Sequence, residues 1–477
     1  MKHTTVIKNF IRDYANAIAS NEAAIFAGAG LSRGAGFVDW RGLLADIAEE
    51  LELDIKIEHD LIAVAQYHVN KQIGNKARLT KRIVEEFSQA AESTENHRIL
   101  ARLPIRTYWT TNYDTLIEDS LKAAYKIPQV KHEIKQLNNT SPKRDAVVYK
   151  MHGDVNHAND AILYKQQYEK YHVDNAGFIT LLQGDLISKT FLFLGFSFTD
   201  PNLDYVLSRL HTAAPNNHYC FMKKETGETG DSPERIAYKQ RHQLLRIDDL
   251  RRYGINTMLV DDYSDITEIL KEIEQRFLKK TVFISGSAED YSKWNRQDAL
   301  NFIHRLAGDI VRADMNIVNG FGWGVGSAVI NGALEAIYDK PDRYSEEQLI
   351  VRPFPQHATA GVSLADMWAD YRTRMISLTG IAIFLFGNKP DATGTITLAD
   401  GVIKEFDIAV SQGVIPIPVG CTGWAACKIF ETIEADPERY LGAHKGILDD
   451  LRALAKDDIT PEQVTTKVVA IIKQINK

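Results

Sequence analysis

The fold of the first half of the chain is decided by the stretch Ala23-Ala24-Ile25-Phe26-Ala27-Gly28-Ala29-Gly30-Leu31-Ser32. Five apolar residues in a row are typical of a strand that is covered on both faces, as in a parallel sheet. The glycines that follow allow a sharp turn into a helix, whose first N–H groups could bind a phosphate. The spacing differs from the G-x-G-x-x-G pattern of dinucleotide-binding turns, because the third glycine is Gly34. The candidate phosphate-binding turn is Gly28-Ala29-Gly30, with Leu31 and Ser32 directly after it, and a turn without a ligand is the alternative.

Similar apolar runs recur along the whole chain and alternate with helical patterns, which is typical of α/β proteins with parallel sheets. With 477 residues the chain is too long for one ordinary hydrophobic core. We therefore expect two Rossmann-like domains, each with a doubly wound parallel sheet. The predicted strands are Ala23–Ala27, Thr107–Thr110, Val147–Met151, Phe191–Phe196, Tyr219–Met222, Thr257–Val260, Val282–Ser285, Ile317–Asn319, Leu349–Val351, Ile381–Phe386 and Val414–Pro418.

The boundary between the two domains is predicted near residue 280. Asp265 is expected to cap a helix whose later apolar residues share one face, and the helix ends at two lysines. A new apolar strand, Thr281–Ser285, follows at once. We therefore assign residues 1–279 to the first domain and residues 280–477 to the second. The glycine, aspartate and serine of Gly227–Ser232 predict an exposed loop.

Composition and charge argue against several classes of protein. The net charge of -7 gives no support to nucleic-acid binding. No apolar run approaches the length of a membrane span, and the first residues lack the apolar segment of a signal peptide. The three cysteines, Cys220, Cys421 and Cys427, form no C-x-x-C pair, which argues against a zinc site and a disulfide framework. We therefore expect a cytoplasmic protein that holds no metal.

Two polar residues follow strands of the first half in positions suited to chemistry. Asn112 lies in Thr110-Thr111-Asn112-Tyr113-Asp114, and its amide can both donate to and accept from a hydroxyl or a water. His152 follows the next predicted strand, and a histidine can accept a proton near neutral pH. In α/β proteins, ligands bind where parallel strands end. The alternatives are a turn asparagine bonded to its own backbone, a packed histidine, and Asp114 as a helix cap.

Taken in order, these motifs resemble the sirtuin family. The resembling segments are Gly28-Ala29-Gly30-x-Ser32, Gly36-Phe37-x-Asp39-Trp40-Arg41-Gly42, Thr111-Asn112-x-Asp114, His152-Gly153 and Gly195-Phe196-Ser197-Phe198-Thr199-Asp200-Pro201. The resemblance implies an enzyme that consumes NAD. It implies that Asn112 lies near the nicotinamide ribose and that His152 is the base. The residues that it implies at the rest of the nucleotide are Gly28, Ala29, Gly30, Ser32, Asp114, Gly195 and Ser197.

This sequence departs from the sirtuin deacylases because the four cysteines of their zinc module are absent. The departure resembles the bacterial defence branch of the family, in which NAD is hydrolysed. Loss of nicotinamide leaves an oxocarbenium-like ribose that water can capture. Two alternatives stay open, an NAD-dependent protein deacylase and a non-catalytic nucleotide-binding regulator. A dehydrogenase is disfavoured, because the first turn misses the dinucleotide spacing and no hydride-acceptor site is visible.

A second set of glycine turns lies in the second half of the chain. The strand at Val282–Ser285 enters a turn of small residues, and the strand at Ile317–Asn319 leads into alternating glycines that open a helix. Such turns suit the close approach of a phosphate. Lys389 follows another strand, and either Arg372 or Arg374 could hold a phosphate through two hydrogen bonds. The candidate ligand-binding residues are Gly286, Ser287, Gly322, Gly324, Gly326, Arg372, Lys389 and Glu405, and a plain structural loop is the alternative.

Residues 280–477 resemble the nucleotide-sensing (SLOG) relatives of the lysine-decarboxylase-like hydrolases of nucleoside monophosphates. Those hydrolases carry a compact glycine-glycine-x-glycine-threonine-x-x-glutamate motif. Here the leading glycine pair is missing and Glu405 lies ten residues after Thr395, which favours binding over hydrolysis.

The fusion of the two halves resembles the NAD-hydrolysing effectors of the Thoeris antiphage system. That resemblance implies that a cyclic ADP-ribose-type nucleotide, made by a separate TIR-domain protein, binds the second domain and activates the first. It also implies a homo-oligomer, expected to be a tetramer. Which isomer of the nucleotide activates stays open.

Overall fold

The computed structural model describes residues 3–209, 217–228, 230–358 and 361–476. The chain divides into two compact units, Met1–Glu274 and Gln275–Lys477. Both units contain a parallel sheet and helices, so the predicted α/β class is confirmed. In the part of the chain that the structure describes, no helix is long and apolar enough to cross a membrane. The loop predicted at Gly227–Ser232 contains residue 229, which lies outside the described residues.

The first unit is built on a seven-stranded parallel sheet of order β3-β4-β2-β1-β5-β6-β7. In chain order, strands β1 to β7 are Ala23–Ala27, Thr107–Thr110, Pro128–Lys131, Ala146–Lys150, Thr190–Leu194, His218–Lys223 and Ile255–Val260. Helices α1 to α14 are Thr5–Ala19, Ala29–Arg33, Trp40–Leu43, Ala45–Glu50, Leu61–Lys71, Ala77–Phe87, Glu95–Arg102, Leu116–Ala123, Ile134–Leu137, Lys165–Asp174, Ala176–Ser188, Pro201–Leu207, Pro233–Arg251 and Ser264–Leu278.

The central strand β1 determines where a ligand can bind in this unit. All five of its residues are buried, as the uninterrupted apolar run predicts. It pairs with β2 on one side and β5 on the other, so that Ala27 lies beside both Thr110 and Leu194. The strand order reverses between β1 and β5, and such a switch point opens a crevice at the carboxyl ends of the strands. The segments that follow β1, β2, β4 and β5 therefore share one edge of the sheet.

The second unit repeats this design with a five-stranded parallel sheet of order β10-β9-β8-β11-β14. Strands β8 to β14 are Thr281–Ser287, Asn316–Asn319, Leu349–Val351, Ile381–Phe386, Asn388–Pro390, Ile396–Leu398 and Ile415–Pro418. Helices α15 to α22 are Arg296–Arg312, Gly326–Asp339, Leu364–Ile376, Asp400–Ser411, Trp424–Ala435, Pro437–Leu441, Leu448–Leu454 and Pro461–Ile475. The strand order reverses between β8 and β11, which places a second switch point there.

Several sequence expectations are corrected by the structure. The edge strand β3 was not expected, because its four residues are mostly half-buried and form no apolar run. The antiparallel pair of β12 and β13 was missed because these three-residue strands form no apolar run. Asp265 does not cap α14 from outside: it lies in the first turn, and its carboxylate accepts from the backbone N–H groups of Asp261 and Asp262 at 3.1 and 3.0 Å.

Candidate active site

The amide of Asn112 ties the end of β2 to the turn after β1. Its Nδ2 donates to the carbonyl of Gly28 and to Oγ of Ser32, both at 3.0 Å. The backbone N–H of Asn112 donates to Oγ1 of Thr110, which itself donates to the carbonyl of Ala27. Both amide hydrogens are used inside the protein, so the side-chain oxygen of Asn112 is the group left for a ligand.

His152 lies just beyond the end of β4 and is fully buried. Its Nε2 lies 3.3 Å from Nδ2 of Asn202 and 3.4 Å from a carboxylate oxygen of Asp200. Its Nδ1 lies 3.3 Å from the hydroxyl of Tyr168. An amide nitrogen can only donate, so the contact with Asn202 is compatible with the neutral tautomer that carries its proton on Nδ1.

Burial keeps the His152 ring neutral. It lowers the pKa of His152, and the Asp200 carboxylate opposes that shift in part. A neutral imidazole with its unprotonated Nε2 beside a carboxylate can take up a proton and is then stabilised as a cation. The arrangement therefore suits a general base. Neither Asp200 nor Asn202 was predicted in this role, although Asp200-Pro201 carries the signature of a helix start.

The glycine turn after β1 packs against the turn after β5. The N–H of Gly30 donates to the carbonyl of Gly195 at 2.9 Å. A Cβ on Gly195 would lie 2.1 Å from the backbone nitrogen of Leu31, and its φ is +63°. The glycines are thus required because two backbones touch, a reason that the sequence did not reveal. The N–H of Gly30 is therefore not available to an anion. Helix α2 has only five residues, so its dipole adds little to the phosphate binding that the sequence predicts.

Asp114 and Ser197, two predicted nucleotide-binding residues, differ in their burial. Asp114 is buried, and one carboxylate oxygen accepts from the backbone N–H of Leu116 at 3.0 Å. Its other oxygen is buried without a hydrogen-bond partner among the described residues. Ser197 is exposed, and its hydroxyl lies 2.7 Å from that of Thr199. Ala29 is half-buried in the first turn of α2.

In the second unit, Glu405 is the centre of a buried polar cluster at the end of β8. Its carboxylate accepts from Oγ of Ser285 at 2.6 Å and lies 3.4 Å from Nε of Arg372. Burial raises the pKa of Glu405, against the opposing effects of Ser285 and Arg372. The guanidinium of Arg372 also lies over the ring of Phe354, 4.8 Å from its centroid. Arg374 pairs with Asp370 at the surface, whereas Arg372 contacts Glu405.

The remaining candidates of the second unit lie around the same edge. Ser287 ends β8 and donates to the carbonyl of Asn388 at 3.0 Å. Lys389 is half-exposed and pairs with Asp400. Asn388, which the sequence analysis missed, is fully buried, and its side-chain oxygen accepts from the N–H groups of Glu289 and Asp290. The glycines of this edge are Gly286 within β8, Gly322 and Gly324 in the turn after β9, and Gly326 at the start of α16.

One group of residues in the described chain has the composition of a metal site. A side-chain ligand atom of each of His132, Glu133 and His157 lies within 4.8 Å of the others. The two imidazole rings stack at 4.3 Å with an angle of 19° between their planes. The two rings therefore lie in nearly parallel, separate planes, and an ion between them would lie outside the plane of each ring. The amide of Gln136 also donates to Nε2 of His132 at 3.1 Å, which occupies that nitrogen.

Comparison with known proteins shows to which family the chain belongs. The model of the SIR2-like domain matches residues 106–245, and that of the Sir2- and TIR-associating SLOG family matches residues 265–475. The protein named NAD(+) hydrolase ThsA from Bacillus cereus (strain MSX-D12) is 46% identical over 477 residues, covering 99% of both chains. The chain belongs to the ThsA family.

Other ThsA relatives match over nearly the whole chain. The NAD(+) hydrolase ThsA of Cytobacillus dafuensis is 46% identical and covers 97% of this chain and 95% of its own. That of Enterococcus faecium is 42% identical and covers 98% of both. The resemblance to a sirtuin-like half joined to a SLOG-type half is thereby confirmed. The SIR2-like match includes Asn112 and His152 and begins after the Gly28–Ser32 turn.

Proposed function

We propose that this chain hydrolyses NAD+ to nicotinamide and ADP-ribose, with Asn112 and His152 as the catalytic residues. The observation that carries the proposal is that ThsA relatives named NAD(+) hydrolases are 42 to 46% identical over nearly the whole chain. NAD+ is then the substrate, and no metal takes part in the proposed chemistry. The hydrogen bonds of Asn112 to Gly28 and Ser32 support the site, because they join the segments that follow β1 and β2.

The chemistry assigns one task to each residue. The bond between nicotinamide and ribose breaks with both electrons leaving on nicotinamide, and the ribose becomes an oxocarbenium-like cation. A water held by the side-chain oxygen of Asn112 attacks the ribose carbon that carried nicotinamide. This water passes a proton to Nε2 of His152. Asp200, 3.4 Å from Nε2, stabilises the resulting imidazolium. The other residues that we propose for the nucleotide site are Gly28, Ala29, Gly30, Ser32, Asp114, Gly195 and Ser197.

The burial of His152 supports a site that is switched. Both ring nitrogens are occupied by protein groups, and the ring has no exposed surface. A ribose hydroxyl or a water can reach Nε2 only if the Asn202 amide gives up its contact with that nitrogen, while Asp200 stays beside it. A ligand that binds better to the state with an accessible Nε2 than to the state described here would therefore raise the rate of NAD+ hydrolysis.

We assign that ligand to the second unit. A cyclic ADP-ribose-type nucleotide would bind between the ends of β8 and β11, where the arginine of the buried Arg372–Glu405–Ser285 cluster can meet its phosphates. A separate TIR-domain protein would make this signal, and the loss of cytoplasmic NAD+ would serve antiphage defence of the Thoeris type. A homotetramer would let subunits switch together.

A nicotinamide-release assay with NAD+ tests the proposal, with and without each cyclic ADP-ribose isomer. One isomer should stimulate the wild-type chain, and Asn112→Ala and His152→Ala should each lower the stimulated rate at least about 100-fold. Arg372→Ala should keep the basal rate and lose the stimulation. His242→Ala, at an exposed position of α13, is the matched control.

Four outcomes would contradict the proposal or parts of it. Unchanged release by both catalytic variants would remove the assigned residues. Absence of stimulation by every isomer would remove the sensor and leave the hydrolase. Bound zinc together with turnover that needs an acyl-peptide would favour a deacylase, and NAD+ binding without any release would favour a regulator.

A further inference from the structure

Lys150 is a buried charge that the proposed chemistry does not use. It is the last residue of β4, two residues before His152, and its side chain has no exposed surface. An ammonium group in such a position is costly unless it is paired and hydrogen-bonded. The groups that pair with the Lys150 ammonium therefore indicate its role in the structure.

The Lys150 ammonium contacts four oxygens from three segments of the chain. It donates to the backbone carbonyls of Tyr113 at 3.1 Å and Asp114 at 2.6 Å. It donates to a carboxylate oxygen of Asp154 at 2.6 Å and forms an ion pair with Glu118 at 3.2 Å. An ammonium has three N–H groups, so these partners saturate it and leave none for a ligand.

These partners flank the two proposed catalytic residues. Tyr113 directly follows Asn112, and Asp154 lies two residues after His152. A backbone hydrogen bond of 2.9 Å from the N–H of Val155 to the carbonyl of Tyr113 joins the same two segments. One side chain thus connects the segment after β2 to the segment after β4.

The charges around Lys150 favour this arrangement. Burial alone would lower the pKa of Lys150, but Glu118 and Asp154 outweigh it, and the pKa lies above its ordinary value. At Asp154, Lys150 together with the hydrogen bonds from Asn156 outweighs burial, and the pKa of Asp154 is lowered. The lysine is therefore charged at neutral pH, and two buried acidic side chains hold it in one position, although burial raises the pKa of Glu118 against the effect of Lys150.

We propose that Lys150 is a positioning residue, whose ammonium fixes the Asn112 segment relative to His152 so that both can act on one NAD+ molecule. The inference rests on the proposed function, since it presumes the roles of Asn112 and His152. Lys150 touches neither substrate nor reacting atoms, and it acts through the two carbonyls that it binds. Displacement of a catalytic group by about 1 Å can cost on the order of 100-fold in rate.

Lys150→Met tests the proposal, because it keeps the length of the side chain and removes the ammonium. We expect kcat for nicotinamide release to fall on the order of 100-fold, while KM for NAD+ changes only a few-fold. This variant leaves two buried carboxylates unpaired, so it should also unfold at a lower temperature. A second variant, Lys150→Met with Glu118→Gln and Asp154→Asn, removes that charge imbalance. It should recover thermal stability without recovering kcat.

Lys131→Met is the matched control. Lys131 is an equally buried lysine at the end of the adjacent strand β3, and it binds the carbonyl of Leu137 and the hydroxyl of Thr140. Its loss should lower stability and spare kcat. The proposal is overturned if Lys150→Met keeps kcat, if the neutralised variant recovers it, or if Lys131→Met loses as much. If Asn112→Ala and His152→Ala keep the wild-type rate, the proposed function fails instead.

Discussion

At the scale of single residues, both units use glycine where two backbones meet at the edge of a sheet. In the first unit the turn after β1 touches the turn after β5 through Gly30 and Gly195. In the second unit a Cβ added to Gly322 would lie 2.0 Å from the carbonyl oxygen of Gly286. Backbone atoms cannot move aside as a flexible side chain can, so each contact excludes every other residue type.

Gly322→Ala should therefore destabilise the second unit. We expect a cost of at least about 2 kcal/mol, typical of overpacking, and a drop of its unfolding midpoint by about 4–8 °C. Gly184→Ala is the control, because Gly184 lies exposed in α11 and an added Cβ there meets nothing within 4 Å. Its midpoint should stay the same or rise, since alanine favours helix. Equal midpoints for the two variants in a thermal melt would contradict this explanation.

At the scale of elements, α7 and β6 each bury a histidine in the first unit. His97 and His218 are 2% and 1% exposed. Oγ1 of Thr94 lies 2.8 Å from Nδ1 of His97, and Nδ1 of His218 accepts from the N–H of Phe191 at 3.2 Å. Burial lowers the pKa of both histidines from 6.5 to about 4. Both rings are therefore neutral in the folded chain at any pH well above 4.

This burial predicts a loss of stability in mild acid. Below pH 6.5 the unfolded chain takes up protons at these rings that the folded chain cannot bind until about pH 4. The free energy of unfolding should fall through that window by up to about 3 kcal/mol per histidine. His218→Asn keeps an acceptor for Phe191 without titrating, so its urea midpoint should fall less steeply from pH 7.5 to 4.5. The exposed His242→Asn should keep the wild-type slope; the same slope in all three proteins would show that burial does not act in this way.

At the scale of the whole molecule, each unit has its own sheet and its own core. The core of the second unit is a single cluster that runs from Val282 to Ile475. The first unit packs separate clusters around its sheet, one of which contains Trp109 stacked on Tyr149 at 4.3 Å. Units with separate cores can unfold as separate cooperative steps.

Calorimetry of the full chain should therefore show two unfolding transitions. In the His152→Ala variant, which should leave NAD+ intact, NAD+ should raise the midpoint of one transition by a few degrees. The activating cyclic ADP-ribose isomer should chiefly raise the other, because a ligand stabilises the unit that binds it. Gly322→Ala identifies the transition of the second unit. A single transition, or one that responds equally to both ligands, would contradict the assignment of a separate site to each unit.

Most of the sheet architecture could be predicted from local patterns, for a physical reason. A strand covered on both faces must be apolar throughout, so β1 and β11 are visible as uninterrupted runs. The edge strand β3 and the β12–β13 pair carry no such run and were missed. Asn112 and His152 were found because each follows a buried strand, at the edge where ligands bind.

The sequence by itself therefore determined the two-domain α/β class, the position of most strands, and Asn112 and His152 as candidate residues. Only the tertiary structure placed Asp200 and Asn202 against His152, and the Lys150 ammonium against the segment after Asn112. These contacts depend on the order of the strands, which places the ends of β4, β2, β1 and β5 side by side. Strand order follows from how whole helices and strands pack, and no local run of residues encodes it.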